Sequence, residues 1–471
     1  MRILFATSEA VPYWKTGGLA DVARALPDAL AARGHEVRIA HPLYRPVRAL
    51  GLPLEPAGTA KLPWPRGAVR VRYFLHRPRA GAPGLLIDEP AHFDTEQPYL
   101  PAGEDALAHG RRFALFCRAV AEHARAWSAD VVHLNDWPTG LVPVYGTLDG
   151  PAVPTVFAIH NLAYQGNFPR KILRQIGVPR SFFRIDGLEF WGKASFLKAG
   201  LALSDHLVTV SPTYAREIQT EEYGAGMDGL LRHRRALLHG ILNGLDTHAW
   251  DPSADRAIVA PYDADRVARK DRNRDELVHE LGLDGAAPVV VMITRLAHQK
   301  GIDLLLDAVP GLIRRGVRLA VLGDGDARYE EALSRLVAAQ PRCFAAFFRF
   351  DDALARRLYA GGDFFLMPSL YEPCGLGQMI AQRYGTPPIV RHTGGLVDTV
   401  QDGITGFAFR KPTARALLRA VDRARLAWRQ RGWDELRRRC MRLDWSWTRS
   451  AAEYERVYHA ALKSAGRPGS A

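Results

Sequence analysis

Short apolar runs alternate with longer amphipathic segments along most of the chain. Runs such as 3–7, 131–134 and 289–293 are apolar or nearly so, which is typical of strands that are buried on both faces of a parallel sheet. The further strands that this pattern predicts are 36–40, 155–159, 206–210, 319–322, 364–367 and 388–390. Helical spacing of apolar residues between these strands predicts an α/β fold built from βα units.

The alternation is interrupted once, in the Asp- and Arg-rich segment 242–284. A chain of 471 residues is longer than one ordinary domain, and two or three domains are expected. We therefore expect a linker near residues 243–246. The predicted division is a first domain at 1–245, a second α/β domain at 246–444 and a final segment at 445–471.

Composition narrows the possible partners and the compartment. The formal net charge is +13, but the cations are spread along amphipathic segments such as 415–442 rather than gathered in a basic arm, so neither nucleic acid nor a membrane is an expected partner. The four cysteines are widely spaced and form no CxxC pair, which favours a reducing, cytoplasmic location. The N-terminal apolar run is too short for a signal peptide.

The turn after the first strand, KTGGLADV at 15–22, combines a cation, two glycines and a carboxylate. It precedes an amphipathic helix predicted at 19–33. Glycine lets backbone N–H groups approach a ligand, and the start of a helix carries a partial positive charge. We therefore expect this turn to receive an anionic, polar ligand; the alternative is a tight turn with a solvated Lys15.

Two cations, Arg295 and Lys300, lie between the strand 289–293 and a predicted helix at 302–313. A planar guanidinium and a point-charge ammonium at a strand end suit a diphosphate group. The alternative is that both are surface cations of an arginine-rich chain.

A carboxylate, Glu372, follows the strand 364–367 in the segment YEPCGLG at 371–377. It can accept hydrogen bonds from hydroxyl groups, while the neighbouring glycine-rich backbone offers N–H donors to phosphate. The alternative for Glu372 is a helix-entry cap. We expect Cys374 to be a buried or incidental thiol rather than a nucleophile.

A histidine, His160, ends the strand 155–159. In a cleft such a residue can bond substrate hydroxyls or act as a base, although a lone histidine is more often structural. Asp324 and Asp326 imitate a DxD metal motif without further ligands nearby, so neither a metal nor another cofactor is expected. The chain also lacks GxSxG, GxGxxG and Walker A motifs, which disfavours the corresponding hydrolases, dehydrogenases and NTPases.

Seven motifs in chain order resemble the family of bacterial glycogen synthase and plant starch synthase. They are KTGGLADV at 15–22, HNLAYQG at 160–166, SPTYARE at 211–217, GILNGLD at 240–246, RLAHQKG at 295–301, PSLYEPCGLG at 368–377 and TGGLVDTV at 393–400. The resemblance extends over about residues 1–460. It implies a GT-B glycosyltransferase, with two facing Rossmann-like domains, an active site in the inter-domain cleft and a last helix that returns to the first domain.

The resemblance also implies a reaction. The family transfers glucose from ADP-glucose to the non-reducing end of an α-1,4-glucan such as glycogen, retains the anomeric configuration and needs no metal. The first domain would then face the acceptor glucan and the second would bind the sugar nucleotide. Two alternatives stay open: a retaining glucosyltransferase with a small acceptor such as glucose 1-phosphate, and a non-catalytic glucan-binding scaffold.

Carried over by motif, four residues would be catalytic: Arg295 and Lys300 at the departing diphosphate, Glu372 at the glucose hydroxyls and His160 near the anomeric carbon. The residues implied in substrate binding are Lys15, Gly17, Gly18, Asp21, Asp136, Asn161, Asn243, Cys374, Gly375, Leu376, Thr393, Gly394 and Gly395. Two positions depart from the family pattern: Pro138 replaces a polar residue near the acceptor, and Phe350 replaces a tyrosine near the nucleotide.

Overall fold

The computed structural model describes residues 1–99 and 105–466. The chain forms two compact units, which we call unit 1 and unit 2. Unit 1 contains the residues up to Gly244 together with those from Trp447 onwards, and unit 2 contains Leu245–Ser446. The chain therefore leaves unit 1 once and comes back to it with its last helix.

Unit 1 is built on a nine-stranded sheet with the order β12-β11-β7-β6-β1-β2-β5-β4-β3, to which a small three-stranded sheet, β8-β10-β9, is added. Its strands are β1 Arg2–Ala6, β2 Glu36–Pro42, β3 Glu55–Trp64, β4 Gly67–His76, β5 Gly84–Asp88, β6 Val131–Asn135, β7 Thr155–Ile159, β8 Asn167–Pro169, β9 Glu189–Phe190, β10 Lys193–Ser195, β11 His206–Thr209 and β12 Leu238–Gly240. Seven strands of the large sheet pair in parallel, whereas β4 is antiparallel to both β3 and β5.

The helices of unit 1 flank these sheets. They are α1 Gly18–Ala32, α2 Arg45–Ala49, α3 Pro90–Phe93, α4 Ala106–Ala126, α5 Val142–Leu148, α6 Ile172–Ile176, α7 Phe196–Leu203, α8 Pro212–Glu217, α9 Asp228–His233 and, after unit 2, α18 Trp447–Ser464. One face of α18 is apolar, and its residues Ala451, Tyr454 and Tyr458 are fully buried in the same core as Phe5 and Leu26. The last helix is therefore an integral part of the unit 1 core.

Unit 2 contains a six-stranded, fully parallel sheet with the order β15-β14-β13-β16-β17-β18. Its strands are β13 Val289–Ile293, β14 Arg318–Leu322, β15 Phe344–Phe347, β16 Phe364–Met367, β17 Pro388–Arg391 and β18 Phe407–Phe409. Its helices are α10 Lys270–Glu280, α11 Ile302–Arg314, α12 Ala327–Ala339, α13 Asp352–Gly361, α14 Gly377–Arg383, α15 Gly395–Thr399, α16 Ala414–Trp428 and α17 Trp433–Met441. The predicted α/β class is confirmed in both units.

Several elements were not predicted, among them the β3–β4 hairpin and helix α10. The hairpin extends the first sheet; β3 is mostly exposed and β4 alternates between more and less exposed positions, so neither strand is a continuous buried apolar run. Helix α10 lies inside the segment 242–284, where the apolar alternation is interrupted. Its buried positions are Lys270, Asn273 and Leu277. Two of these three are polar, which hides the helical period. Among the described residues, no helix is long and apolar enough to cross a membrane.

Candidate active site

The KTGG turn of unit 1 is held by a buried carboxylate, Glu9, which follows β1 directly and is 4% exposed. Its Oε2 accepts hydrogen bonds from the backbone N–H groups of Thr16 at 2.6 Å and Gly17 at 3.3 Å. Its Oε1 accepts from the Thr16 hydroxyl at 2.7 Å and the Tyr99 hydroxyl at 2.8 Å. Four donors therefore converge on one carboxylate, which sets the conformation of the turn.

Glu9 was missed at the sequence level. The available signal was a carboxylate directly after the first apolar strand, at the sheet edge where ligands of open α/β sheets bind.

The cation and the carboxylate of the motif pair with each other on the surface. Lys15 Nζ donates to Asp21 Oδ1 at 2.8 Å, and the two side chains are 43% and 42% exposed. Such an exposed pair contributes little to stability, so either partner can turn to a ligand at small cost. A Cβ on Gly17, the residue before α1, would meet nothing within 4 Å, so among the described residues none beyond its chain neighbours occupies that space.

Asp136 has an unusual backbone and a perturbed carboxyl group. It follows β6 with φ at 54° and ψ at −176°, a conformation that is costly for a residue other than glycine and is often found at functional sites. Its Oδ1 accepts from the backbone N–H groups of His160 at 2.8 Å and Asn161 at 3.4 Å. Burial raises the pKa of Asp136 to about 7, and the charge of Glu9 adds to this rise.

His160 is held at the end of β7. Its Nε2 lies 2.8 Å from Asn135 Oδ1, and burial lowers the pKa of His160 to about 4. The imidazole is therefore neutral at physiological pH. Asn161 uses its side-chain oxygen to accept from the backbone N–H of Ala163 at 3.1 Å, so this predicted substrate contact also shapes the local turn.

Asn243 lies just after β12 and is 6% exposed. Its Oδ1 is buried and accepts no hydrogen bond from any described residue. Because a buried polar atom without a partner is costly, this atom is a candidate to receive a donor from a ligand.

In unit 2, the structure brings Lys300 and Glu372 together. Lys300 Nζ donates to Glu372 Oε2 at 2.7 Å, with side chains only 15% and 7% exposed. The Ser369 hydroxyl donates to the same carboxylate oxygen at 3.0 Å, and the Glu372 carbonyl accepts from the Gly395 N–H at 3.0 Å. The carboxylate is therefore fixed by both its side chain and its backbone.

The position of Lys300 depends on a tight contact between two loops. Lys300 is followed by Gly301, which has φ at +71°; a Cβ there would lie 2.2 Å from the Pro368 carbonyl oxygen. Only glycine satisfies both the backbone angle and this close approach. The strand ends that carry Lys300 and Glu372 are thus held against each other.

The two glycine-rich turns of unit 2 are also packed together. Gly375 has φ at +76°, and a Cβ on Gly395 would lie 2.3 Å from the Cys374 carbonyl oxygen. Gly394 has φ at 50°. The side chains of Cys374 and Thr393 are buried, which leaves the backbone of these turns as the part available to a ligand. Leu376 is the residue before α14.

The last predicted cation, Arg295, is not part of this cluster of contacts. It is exposed, and its guanidinium has no hydrogen bond or ion pair with any residue in 1–99 or 105–466; its carbonyl oxygen accepts from the Ala297 N–H at 3.0 Å. Of the two aspartates of the DxD-like turn, Asp326 is the N-cap of α12 and accepts from the Arg328 N–H at 3.1 Å. Within the part of the chain that the structure describes, no group of three or more His, Cys, Asp and Glu residues is arranged to hold a metal ion.

Comparison with known proteins shows which family the chain belongs to. A family model described as the starch synthase catalytic domain matches residues 2–233, and one described as glycosyl transferases group 1 matches residues 287–425. The glycogen synthase of Aromatoleum aromaticum is 46% identical, with 99% of this chain and 98% of that protein covered. The glycogen synthase of Syntrophotalea carbinolica is 43% identical, with 98% and 99% covered.

Among solved structures, the catalytic domain of Starch Synthase IV from Arabidopsis thaliana, bound to ADP and acarbose, has a TM-score of 0.87 at 30% identity and covers 99% of each chain. The fold, with a Rossmann-like sheet in each of two units, is the GT-B architecture, and the protein is a glycosyltransferase. Within that class, the chain belongs to the family of bacterial glycogen synthases and plant starch synthases. The family and the GT-B fold that the seven motifs indicate are confirmed.

Proposed function

We propose that this protein transfers glucose from ADP-glucose to the non-reducing end of an α-1,4-glucan, with retention of the anomeric configuration. The observation that carries the proposal is the nearly buried Lys300–Glu372 pair beside two glycine-rich turns. It combines a cation for phosphate with a carboxylate for sugar hydroxyls. The whole-length similarity to glycogen synthases supports the same assignment.

In unit 2, we assign Lys300 and Arg295 to the diphosphate of the donor. As the glycosidic bond breaks, positive charge develops on the sugar and negative charge on the departing nucleotide. Fixed cations next to the leaving group stabilise that charge separation without reorganising during the reaction. Lys300 is already oriented by Glu372, whereas the exposed Arg295 is available to move to the ligand.

We assign Glu372 to the glucose hydroxyls. Oε2 already accepts hydrogen bonds from Lys300 and Ser369, and each carboxylate oxygen has further lone pairs for hydroxyl donors. The backbone N–H groups of Gly375 and Leu376 are proposed as further phosphate contacts, while the turn at 393–395, whose Gly395 N–H donates to the Glu372 carbonyl oxygen, is proposed to hold Glu372 beside the substrate. The ADP in the starch synthase structure supports the choice of a nucleoside diphosphate as the leaving group.

In unit 1, we assign His160, Asp136, Asn161 and Asn243 to sugar groups. A neutral imidazole and an amide oxygen without a partner both suit the hydroxyl groups of an uncharged sugar. The turn with Lys15, Gly17, Gly18 and Asp21 is proposed to contact the donor phosphates and glucose. The acarbose in the starch synthase structure supports a glucan as the acceptor. Cys117, Cys343, Cys374 and Cys440, all within the described residues, form no disulfide, which supports the cytoplasm as the location.

The assay is transfer of radiolabelled glucose from ADP-glucose and, in parallel, UDP-glucose to glycogen, with and without a chelator. We expect elongation of glycogen with ADP-glucose and no loss of rate with the chelator. Product digestion by enzymes specific for the α-1,4 linkage reports the stereochemistry. Transfer only to glucose 1-phosphate, or glycogen binding without turnover, would replace the proposal with one of its two alternatives.

A further inference from the structure

The buried amide of Asn135 connects two strand ends of unit 1. Asn135 is the last residue of β6 and has no exposed surface. Its Nδ2 donates to the Ala6 carbonyl oxygen at 2.8 Å, and its Oδ1 lies 2.8 Å from His160 Nε2. No family motif quoted above includes Asn135.

These two contacts determine which atom of the amide faces the histidine. A backbone carbonyl oxygen only accepts hydrogen bonds, so the NH₂ group must face Ala6. The amide oxygen therefore faces His160. Because that oxygen is itself an acceptor, His160 Nε2 must carry the hydrogen.

The other ring nitrogen then has a free lone pair. In a neutral imidazole one nitrogen donates and the other accepts, so Nδ1 of His160 is unprotonated. Nδ1 makes no hydrogen bond with residues 1–99 or 105–466. Burial lowers the pKa of His160 to about 4, which keeps the ring in this neutral form at physiological pH.

Two titratable groups lie next to His160. The Asp136 carboxylate accepts from the His160 backbone N–H at 2.8 Å. The ring of His133 is buried on the same strand as Asn135, and its Nδ1 lies 3.0 Å from the Tyr458 hydroxyl. Burial, with a smaller effect of His160, lowers the pKa of His133 to about 3, so this neighbour is also uncharged. The amide is thus the group that selects the tautomer.

We propose that Asn135 is a positioning residue that holds His160 in its Nε2–H tautomer, so that Nδ1 acts as a hydrogen-bond acceptor for a sugar hydroxyl. His160 would then neither donate a proton nor carry a charge during the reaction. This inference rests on the proposed function only for the identity of the hydroxyl donor. The tautomer itself is a property of the free protein.

The first test uses the unchanged protein and needs no turnover. Uniform ¹⁵N labelling of histidine, with two-dimensional long-range ¹H–¹⁵N spectra, distinguishes Nε2–H, Nδ1–H and doubly protonated rings. His160 is assigned by the disappearance of its signals in His160→Gln. We expect the Nε2–H pattern at pH 7; an Nδ1–H or doubly protonated pattern would overturn the proposal. If glycogen elongation fails but the Nε2–H pattern is present, the proposed function is wrong and the tautomer assignment stands.

The second test changes the acceptor. Asn135→Asp keeps an oxygen near Nε2 but adds a negative charge, so the pKa of His160 should rise by about three units or more. At pH 6 most of the rings then carry a proton on Nδ1 and cannot accept. We expect glycogen elongation to fall at least about 10-fold at pH 6 relative to wild type, with partial recovery at alkaline pH.

Thr209→Val is the matched control, because its buried hydroxyl donates to the Ile159 carbonyl at 2.8 Å and does not touch the His160 ring. It should leave the His160 titration unchanged. An Asn135→Asp protein that folds, with an unshifted His160 titration and a wild-type pH profile, would contradict the proposal. If Asn135→Asp does not fold, because its carboxylate faces the Ala6 carbonyl, the wild-type spectrum decides.

Discussion

The two units keep their buried polar groups in different ways. Unit 1 contains, beside buried ion pairs such as Arg118 with Asp149, many titratable groups that burial shifts towards the neutral form: burial lowers the pKa of several of its histidines to about 3 or 4 and raises the pKa of Asp136 to about 7. Unit 2 relies on paired charges, such as Lys300 with Glu372 and Arg274 with Asp363. In unit 2, whose residues are all described, His392 is the one histidine with a lowered pKa. Unit 1 should therefore respond to pH, and unit 2 to the removal of single charges.

The largest effect should be the acid sensitivity of unit 1. Five of its histidines have a pKa of about 3 or 4 in the folded state: His41, His109, His123, His133 and His160. Their ordinary pKa is 6.5, so the unfolded chain gains protons first as the pH falls, and stability is lost between about pH 6.5 and pH 4. At pH 5 each of these five histidines lowers the free energy of unfolding by about 2 kcal/mol. Their sum, roughly 10 kcal/mol, is an upper value.

Asp136 opposes this loss. Its pKa is raised from 3.8 to about 7, so its protonated form is favoured in the folded state and its contribution to stability is lost as the pH rises from about 3.8 to 7. At pH 5 the raised pKa of Asp136 adds about 3 kcal/mol to the free energy of unfolding.

Urea unfolding at pH 7.5 and pH 5, followed by proteolysis and mass spectrometry of the fragments, should show that unit 1 is cleaved first at pH 5. Earlier cleavage of unit 2 would contradict the comparison. His298→Asn changes an exposed histidine of unit 2 and should have no effect.

Removal of one charge in unit 2 should have the next largest effect. Glu372→Gln preserves the shape of the side chain but leaves Lys300 without its anionic partner and weakens the contact with sugar hydroxyls. We expect kcat to fall about 10³-fold, which corresponds to about 4 kcal/mol. Lys300→Ala should cause a loss of similar size. Initial rates of glycogen elongation measure both, and Glu331→Gln, at an exposed position, is the control. Near-normal rates in both variants would remove this pair from the proposed mechanism.

Loss of the Glu9 carboxylate should have an intermediate effect. Glu9→Ala removes the acceptor for three donors in the KTGG turn and for the Tyr99 hydroxyl, so the turn loses its fixed conformation. We expect kcat/KM for ADP-glucose to fall about 10- to 100-fold, mostly through KM, because Glu9 orders a binding turn. Glu9→Gln should fall between wild type and Glu9→Ala, since one amide oxygen remains. Glu36→Gln, at an exposed site in unit 1, is the control and should match wild type. A wild-type kcat/KM for Glu9→Ala would show that the turn does not depend on the Glu9 carboxylate.

The smallest effect should come from the exposed Lys15–Asp21 pair. Asp21→Asn should change the free energy of unfolding by less than about 1 kcal/mol, and the change should shrink further in high salt. Urea unfolding at low and high salt measures this. A loss above about 2 kcal/mol would mean that the pair stabilises the fold, in which case its partners would not be free to exchange for a ligand.

The limits of sequence reasoning follow from particular residues. Motif glycines such as Gly301 and Gly395 were recognisable as loop positions, and the structure shows the carbonyl oxygens that exclude a side chain there. Helix α10 and the β3–β4 hairpin were missed because their buried positions do not form an apolar period. Glu9 and Asn135 were missed because each acts through residues that are close only after folding, such as Thr16 and His160.

The sequence by itself determined the α/β class, the positions of the nine predicted strands and the family, and it supplied the candidate site residues. These properties follow from local periodicity and from short motifs, which require no knowledge of distant contacts. The tertiary structure decided that Lys300 is paired with Glu372 while Arg295 is left exposed, and that Glu9 holds the KTGG turn. It also decided that burial lowers the pKa of His160 and raises the pKa of Asp136. Hydrogen bonding and desolvation depend on which atoms surround a group in three dimensions, and strand-end residues far apart in the chain come together only when the parallel sheet forms.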